Sequence, residues 1–263
     1  MSTTVPRKIF VVGGSGFIGQ AVCSSALARG WEVLSLSRHG GPRQAVGPSA
    51  TTTTTNPSIS AVKWIKGDAL NPETYKEYLA GCSAVVHSVG IIMEANYKKF
   101  VNLGYSTTAS QDITTFESAN RDTALSVARA ARNIEGLSTI VYMSASDVLP
   151  VLNPRYISTK REVEDDLLAH KDQMRPIILR PGLVYSSARL ATLPVAAGVS
   201  VFNALYHRTP LGCVLKNTPL SKVASPVVHR ETVARAIINA IDNPEITGIL
   251  KPVDIERIGS IRT

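Results

Sequence analysis

Three cysteines, Cys23, Cys82 and Cys213, are too few and too unevenly spaced for a disulfide framework or a cysteine-ligated metal. An odd count without ligand spacing fits a reducing compartment and small buried side chains, and no metal is expected. Aromatic residues are also sparse, at 6%. The formal charge of +8 favours anionic partners, which could be a dinucleotide, RNA or a phospholipid surface. The basic residues are dispersed, however, in pairs such as Arg7-Lys8, Lys98-Lys99 and Lys160-Arg161. Without interleaved aromatics this reads as a solvated basic surface, and nucleic acid is not an expected partner. No apolar run is long enough to span a bilayer. The uncharged stretch Leu190 to Tyr206 is short and interrupted by Pro194 and Gly198. Because the first apolar run begins within a few residues of Met1, no signal peptide or long presequence is expected in this chain.

What is present is concentrated between Lys8 and Arg38. The run Ile9-Phe-Val-Val12 suits a strand buried on both faces, and Gly13, Gly16 and Gly19 follow it as a turn opens into a helical pattern. One glycine tolerates a strained turn, one lets a pyrophosphate approach the backbone, and one lets the helix pack closely on the strand. A second strand, Glu32 to Ser37, arrives at the βαβ distance, so Gly13, Ser15, Gly16, Phe17, Ile18 and Gly19 are assigned to a dinucleotide diphosphate at a helix N-terminus. Where NAD-binding proteins usually carry an acid for the ribose 2′-hydroxyl, this chain has Ser37 and Arg38. No carboxylate repels a 2′-phosphate there and a guanidinium can pair with it, so NADP(H) is expected over NAD(H); the competing reading is a solvated loop arginine.

At 263 residues and 44% hydrophobic composition the chain can bury one large core. The expectation is α/β: a doubly wound parallel sheet, a Rossmann fold, forming one domain over residues 1–263 with a small C-terminal substrate lobe over 183–230. Gln44 to Ser60, with five consecutive threonines, reads as a surface excursion. Val62 to Lys66 is the third strand, and the carboxylate of Asp68 after it either contacts an adenine, together with Ala69, or caps the next segment. A helix is expected from Asn71 or Pro72 to Leu79, and a buried strand over Ser83–Gly90, where Ser88, Val89 and Gly90 would let a cofactor lie against the backbone. His87 reads as a hydrogen-bonded core histidine. Ile91 to Glu117 has no sustained period and reads as part of a substrate lid. Ala119 to Arg132 is a helix with Asn120 facing the cofactor side. Thr139 to Ser144 is a strand, Arg175 to Arg180 another, and Pro181, Gly182 and Leu183 would close over the nicotinamide end. His229 to Ile241 reads as an amphipathic helix and Gly248 to Val253 as a late strand. Leu190 to Tyr206 is an isoprenoid-facing wall, a membrane-docking surface or a core helix of the small lobe.

Tyr156 and Lys160, four residues apart, fall on one helix face. A neighbouring cation favours a phenolate, so Tyr156 is expected to exchange a proton with a carbonyl or hydroxyl while Lys160 bonds the nicotinamide ribose.

The glycine triplet, Val85-Val86-His87, Asn120, Tyr156 with Lys160, and Arg180-Pro181-Gly182 together resemble the extended or atypical short-chain dehydrogenase/reductases across nearly the whole chain. Within that superfamily GGSGFIG, VVHSVGII, YISTKRE and RPIILRPG resemble the fungal mitochondrial member acting in coenzyme Q (ubiquinone) biosynthesis and, more distantly, the NADPH-binding accessory subunit of respiratory complex I. That resemblance implies a matrix-side, peripheral inner-membrane location, a prenylated quinone precursor as substrate and other ubiquinone-biosynthesis proteins as partners. The superfamily's catalytic serine falls on Ala145, between Ser144 and Ser146. Ser144 stands as the candidate hydroxyl beside Tyr156 and Lys160, although strand alternation does not carry either flanking serine to the same spot. Two expectations follow, an oxidoreductase or a catalytically silent cofactor-binding scaffold of a multi-enzyme complex.

Overall fold

The computed structural model describes residues 7–41, 57–91, 115–146, 153–186, 206 and 227–261. Seven strands form one sheet: β1 (Lys8–Val12), β2 (Glu32–Ser37), β3 (Lys63–Lys66), β4 (Ala84–His87), β5 (Thr139–Met143), β6 (Arg175–Leu179) and, last in the chain, β9 (Gly248–Leu250). All pair in parallel, in the order β3-β2-β1-β4-β5-β6-β9, which reverses direction at β1 as in a doubly wound fold. A separate parallel pair joins β7 (Val184–Tyr185) to β8 (Val228–His229).

The strands are apolar throughout because both faces are covered. On one face Ile9, Val11, Val33, Val86, Val141 and Ile177 meet α1 (Phe17–Ala28), α4 (Arg230–Asp242) and α5 (Pro252–Ser260). On the other, Phe10, Leu34, Val85, Ile140 and Ile178 meet Tyr75 and Leu79, α2 (Thr123–Arg132) and α3 (Pro154–Ala169). Burial pushes the Cys23 thiol up to about 12 and the Cys82 thiol up to about 11, which keeps both protonated inside these layers.

The amino ends of the strands carry a cluster of fixed charges. Arg175, at the start of β6, donates to the carbonyls of Ala240 (3.1 Å), Ile241 (3.0 Å), Asn243 (2.8 Å) and Ile246 (2.9 Å), satisfying the last carbonyls of α4 and the turn beyond. Arg7 and Arg29 both pair with Asp242, and the Arg7 guanidinium lies 5.2 Å from the centre of the Trp31 ring.

Four expected elements differ by more than one residue at an end or in type. The helix expected to end at Leu79 is two 3₁₀ turns, Pro72–Thr74 and Lys76–Leu79, because Tyr75 between them leaves helical geometry at φ −146°. The helix expected from Ala119 begins instead with a π-helical turn, Glu117–Asp122, and becomes α2 only at Thr123. The buried strand expected over Ser83–Gly90 is shorter, Ala84–His87. The late strand expected to reach Val253 stops at Leu250, since Pro252 opens α5, where its fixed φ suits a first helical turn. Most of the expected lid, threonine-rich excursion and C-terminal lobe, together with Cys213, lies outside the described residues.

Candidate active site

The carboxyl ends of β1, β4 and β5 meet the start of α1 and the buried face of α3. At β1, Gly13 turns the chain in the left-handed region, φ +88°, donating its N–H to Leu36 O (3.0 Å) and accepting from Gly16 N–H (2.8 Å). A Cβ on Gly19 would lie 2.2 Å from Gly13 O, so only glycine lets α1 close on the turn. Gly16 caps α1 with extended backbone, no side chain bonds the cap, and the first turn carries no acid. Ser15, Phe17 and Ile18 stand half-buried around it. The result is a bare positive helix end framed by a backbone cradle, which fits a diphosphate.

Beyond the end of β2, Arg38 is exposed and Ser37 Oγ accepts from Gly41 N–H at 3.3 Å. Asp68 is also exposed; its Oδ1 accepts from Leu70 N–H at 3.0 Å, so it shapes the local turn, and Ala69 O accepts from the Tyr75 hydroxyl at 3.2 Å. Ser88 Oγ donates to Val12 O at 2.9 Å, tying the end of β4 to β1, and Val89 packs against the place where a Gly13 side chain would be.

Asn153 starts α3 by accepting Arg155 N–H at 2.9 Å, and Tyr156, Thr159, Lys160, Val163, Glu164 and Leu167 form its buried stripe. Lys160 Nζ donates to Met143 O at 2.9 Å and lies 4.9 Å from the centre of the Tyr142 ring. Burial drives its ammonium down to about 7, with Glu164 partly offsetting the loss. A Cβ on Gly90 would lie 2.8 Å from Asn120 Oδ1 and 3.0 Å from Lys160 Nζ, so these three residues meet where β4 ends. Asn120, in the π-helical turn, accepts Ile91 N–H (2.9 Å) and donates to Ile91 O (3.0 Å).

Tyr156 is buried against Phe116, ring centres 6.0 Å apart, in a small apolar cluster that includes Ala145. Burial raises the phenol above its usual value, and the cation that opposes this is Arg161 rather than Lys160. The expected phenolate is therefore corrected: desolvation outweighs the nearby charge and Tyr156 holds its proton. Among the described residues its hydroxyl makes no hydrogen bond. Ala145 places a methyl group against this tyrosine.

Ser144 is not brought to Tyr156. Its hydroxyl donates to Glu164 Oε1 and accepts from Arg161 Nη1 at 3.2 Å. Arg161 also reaches Glu164 (2.6 Å) and Ala145 O (3.0 Å), and Arg180 donates to both Glu164 oxygens. Glu164, only 1% exposed, thus fastens the ends of β5 and β6 to α3. Sequence reasoning missed it, although the ladder Tyr156, Lys160, Glu164 continues the same four-residue interval. Ser146 N–H donates to Pro181 O at 3.0 Å, seating Pro181, Gly182 and Leu183 beside the end of β5, while Ser146 Oγ is buried with no partner among the described residues. His87 is fully buried and pairs with Thr123 Oγ1 at 3.2 Å.

A family profile described as "NAD dependent epimerase/dehydratase family" matches residues 9–247. MIOREX complex component 2 of Saccharomyces cerevisiae is 27% identical over 271 aligned positions, covering 92% of this chain and 96% of its own. A protein of Arabidopsis thaliana, named as uncharacterized and chloroplastic, is 26% identical over 250 positions, covering 92% and 74%. Among solved structures, the Bordetella bronchiseptica enzyme WbmF in complex with NAD+ superposes with a TM-score of 0.58 at 16% identity over 97% of this chain and 78% of that one, a likeness of fold.

Proposed function

The chain belongs to the NAD dependent epimerase/dehydratase family, whose cofactors are nicotinamide dinucleotides, and we propose that it is an NADP(H)-dependent oxidoreductase acting on a prenylated quinone precursor in mitochondrial ubiquinone biosynthesis. The observation that carries the reading is the convergence of Lys160 Nζ, Gly90 and Asn120 at the end of β4, one helical turn from a buried, protonated Tyr156. Gly13, Gly16 and Gly19 with the start of α1 would hold the diphosphate, Ser37 and Arg38 the adenosine end, and Ser88, Val89, Gly90, Pro181, Gly182 and Leu183 the remainder. A dinucleotide bound there supplies hydride chemistry.

The chain's own residues handle the proton. Tyr156 keeps it on the phenol oxygen at neutral pH and is a donor to a substrate oxygen. Lys160, near pKa 7, adjusts the charge beside it. The preference for NADP(H) is supported by the absence of an acid at the end of β2. The quinone-precursor and mitochondrial readings are supported by the likeness of GGSGFIG, VVHSVGII, YISTKRE and RPIILRPG to the fungal coenzyme Q member, and an organellar location by the word chloroplastic in the plant relative's name.

The test is NADPH consumption with prenylated quinone precursors by wild type and Tyr156→Phe. A loss on the order of 100-fold with unchanged NADPH affinity is expected; equal consumption removes the catalytic role. A second reading, a cofactor-bearing scaffold, is favoured by the Ala145 methyl where a hydroxyl would polarise the substrate, and by the yeast relative's name as a complex component. On that reading the dinucleotide is kept because a ligand bound only to the native state stabilises it.

A further inference from the structure

Parallel pairing sets Ser37, the last residue of β2, directly beside Lys66, the last residue of β3. Side chains alternate along each strand. Trp64 packs into the core layer that holds α1 and Ile65 into the opposite layer, so Lys66 returns to the α1 side. On β2, Ser35 faces α1, since a Cβ on Gly14 would lie 2.2 Å from Ser35 Oγ, and Ser37 shares that side. The chain after β2 folds back on the lysine. Gly40, at φ +66°, sits so close that a Cβ would lie 2.9 Å from Lys66 Cβ, and Gly40 N–H donates to Ser37 O at 3.2 Å. Ser37 is thereby bracketed by Arg38, the first residue of the turn after β2, and Lys66 on the next strand. Both cations are exposed, and neither makes an ion pair among the described residues. The nearest acid in sequence, Asp68, is turned to Leu70 N–H at 3.0 Å.

We propose that Lys66 is a second cation of the 2′-phosphate site, acting with Arg38 on the phosphate that distinguishes NADP(H) from NAD(H). The inference rests on the dinucleotide reading above. A dianionic phosphate beside Ser37 meets a planar guanidinium from one side and a compact ammonium on a flexible stem from the other, two complementary donors for one tetrahedral group. β3 is the edge of the sheet among the described residues, and an edge lysine can also serve only to discourage pairing with another chain.

Calorimetric titration of NADPH, NADH and 2′,5′-ADP into wild type and Lys66→Gln separates these roles. The expected result is wild-type preference for NADPH, with Lys66→Gln weakening NADPH and 2′,5′-ADP about tenfold and leaving NADH within about twofold, at an unchanged unfolding midpoint without ligand. If the variant binds NADPH as wild type does, or loses both dinucleotides equally, Lys66 is an edge guard and the inference fails while the dinucleotide reading stands. If wild type binds neither dinucleotide, both fail together, and a wild-type preference for NADH overturns the 2′-phosphate site alone.

Discussion

The hydroxyl of Thr123 has one proton and gives it to Ala119 O at 2.9 Å, so the bond to His87 must be donated by the imidazole Nε2–H. Nδ1 is then a buried lone pair with no partner among the described residues. Burial holds the ring down to about 3, with the Lys160 charge adding to the effect. A group whose folded value lies below its unfolded one near 6.5 contributes stability above that pH and loses it as pH falls toward the folded value. The unfolding midpoint should therefore decline between about pH 6.5 and 3, and His87→Gln should flatten that slope; an unchanged slope would assign the acid sensitivity elsewhere. At the same scale, Ala145→Ser restores a hydroxyl against Tyr156, and turnover should rise on the order of 100-fold with NADPH affinity unchanged. Tyr156 and Lys160 were legible because a four-residue interval is a local property of a helix. Glu164 was not: REVEDD offers several acids, and only the packing of β5 and β6 on α3 decides which one is buried.

Elements were legible where one local rule decides them. The apolar runs gave the strands, and the glycine turn gave α1. They were illegible where neighbours decide, as at Tyr75, whose backbone breaks a helix that Asn71 and Pro72 begin, or at the π-helical turn that aims Asn120 at Ile91. Two alanine substitutions separate the glycine tasks. Gly19→Ala forces a methyl into Gly13 O, and should cost about 1–3 kcal/mol of stability and weaken NADPH binding strongly. Gly30→Ala, at φ +72° with nothing within 4 Å of the added atom, should cost about 1–2 kcal/mol and leave binding intact. Urea denaturation paired with NADPH titration reads both; equal binding losses would remove the cradle from the account.

On the scale of the whole molecule, binding to the native state alone adds RT ln(1 + [L]/Kd), about 2.7 kcal/mol at a hundredfold excess over Kd. For a chain of this length NADPH should raise the melting temperature by roughly 5 °C or more, and the same excess of 5′-AMP should raise it less; no shift with NADPH would deny the site. Parallel strands also sort the molecule by direction. Among the described residues, Arg175, Arg7, Arg29 and Asp242 rivet the helices at the amino ends, while the glycine turn, Ser37, Arg38, Ser88 to Gly90 and Pro181 to Leu183 stand at or just after the carboxyl ends of their strands. Among the described residues none of those four side chains reaches the opposite rim, so substitutions at Ser37, Arg38 or Lys66 can retune ligand preference without loosening that end of the chassis.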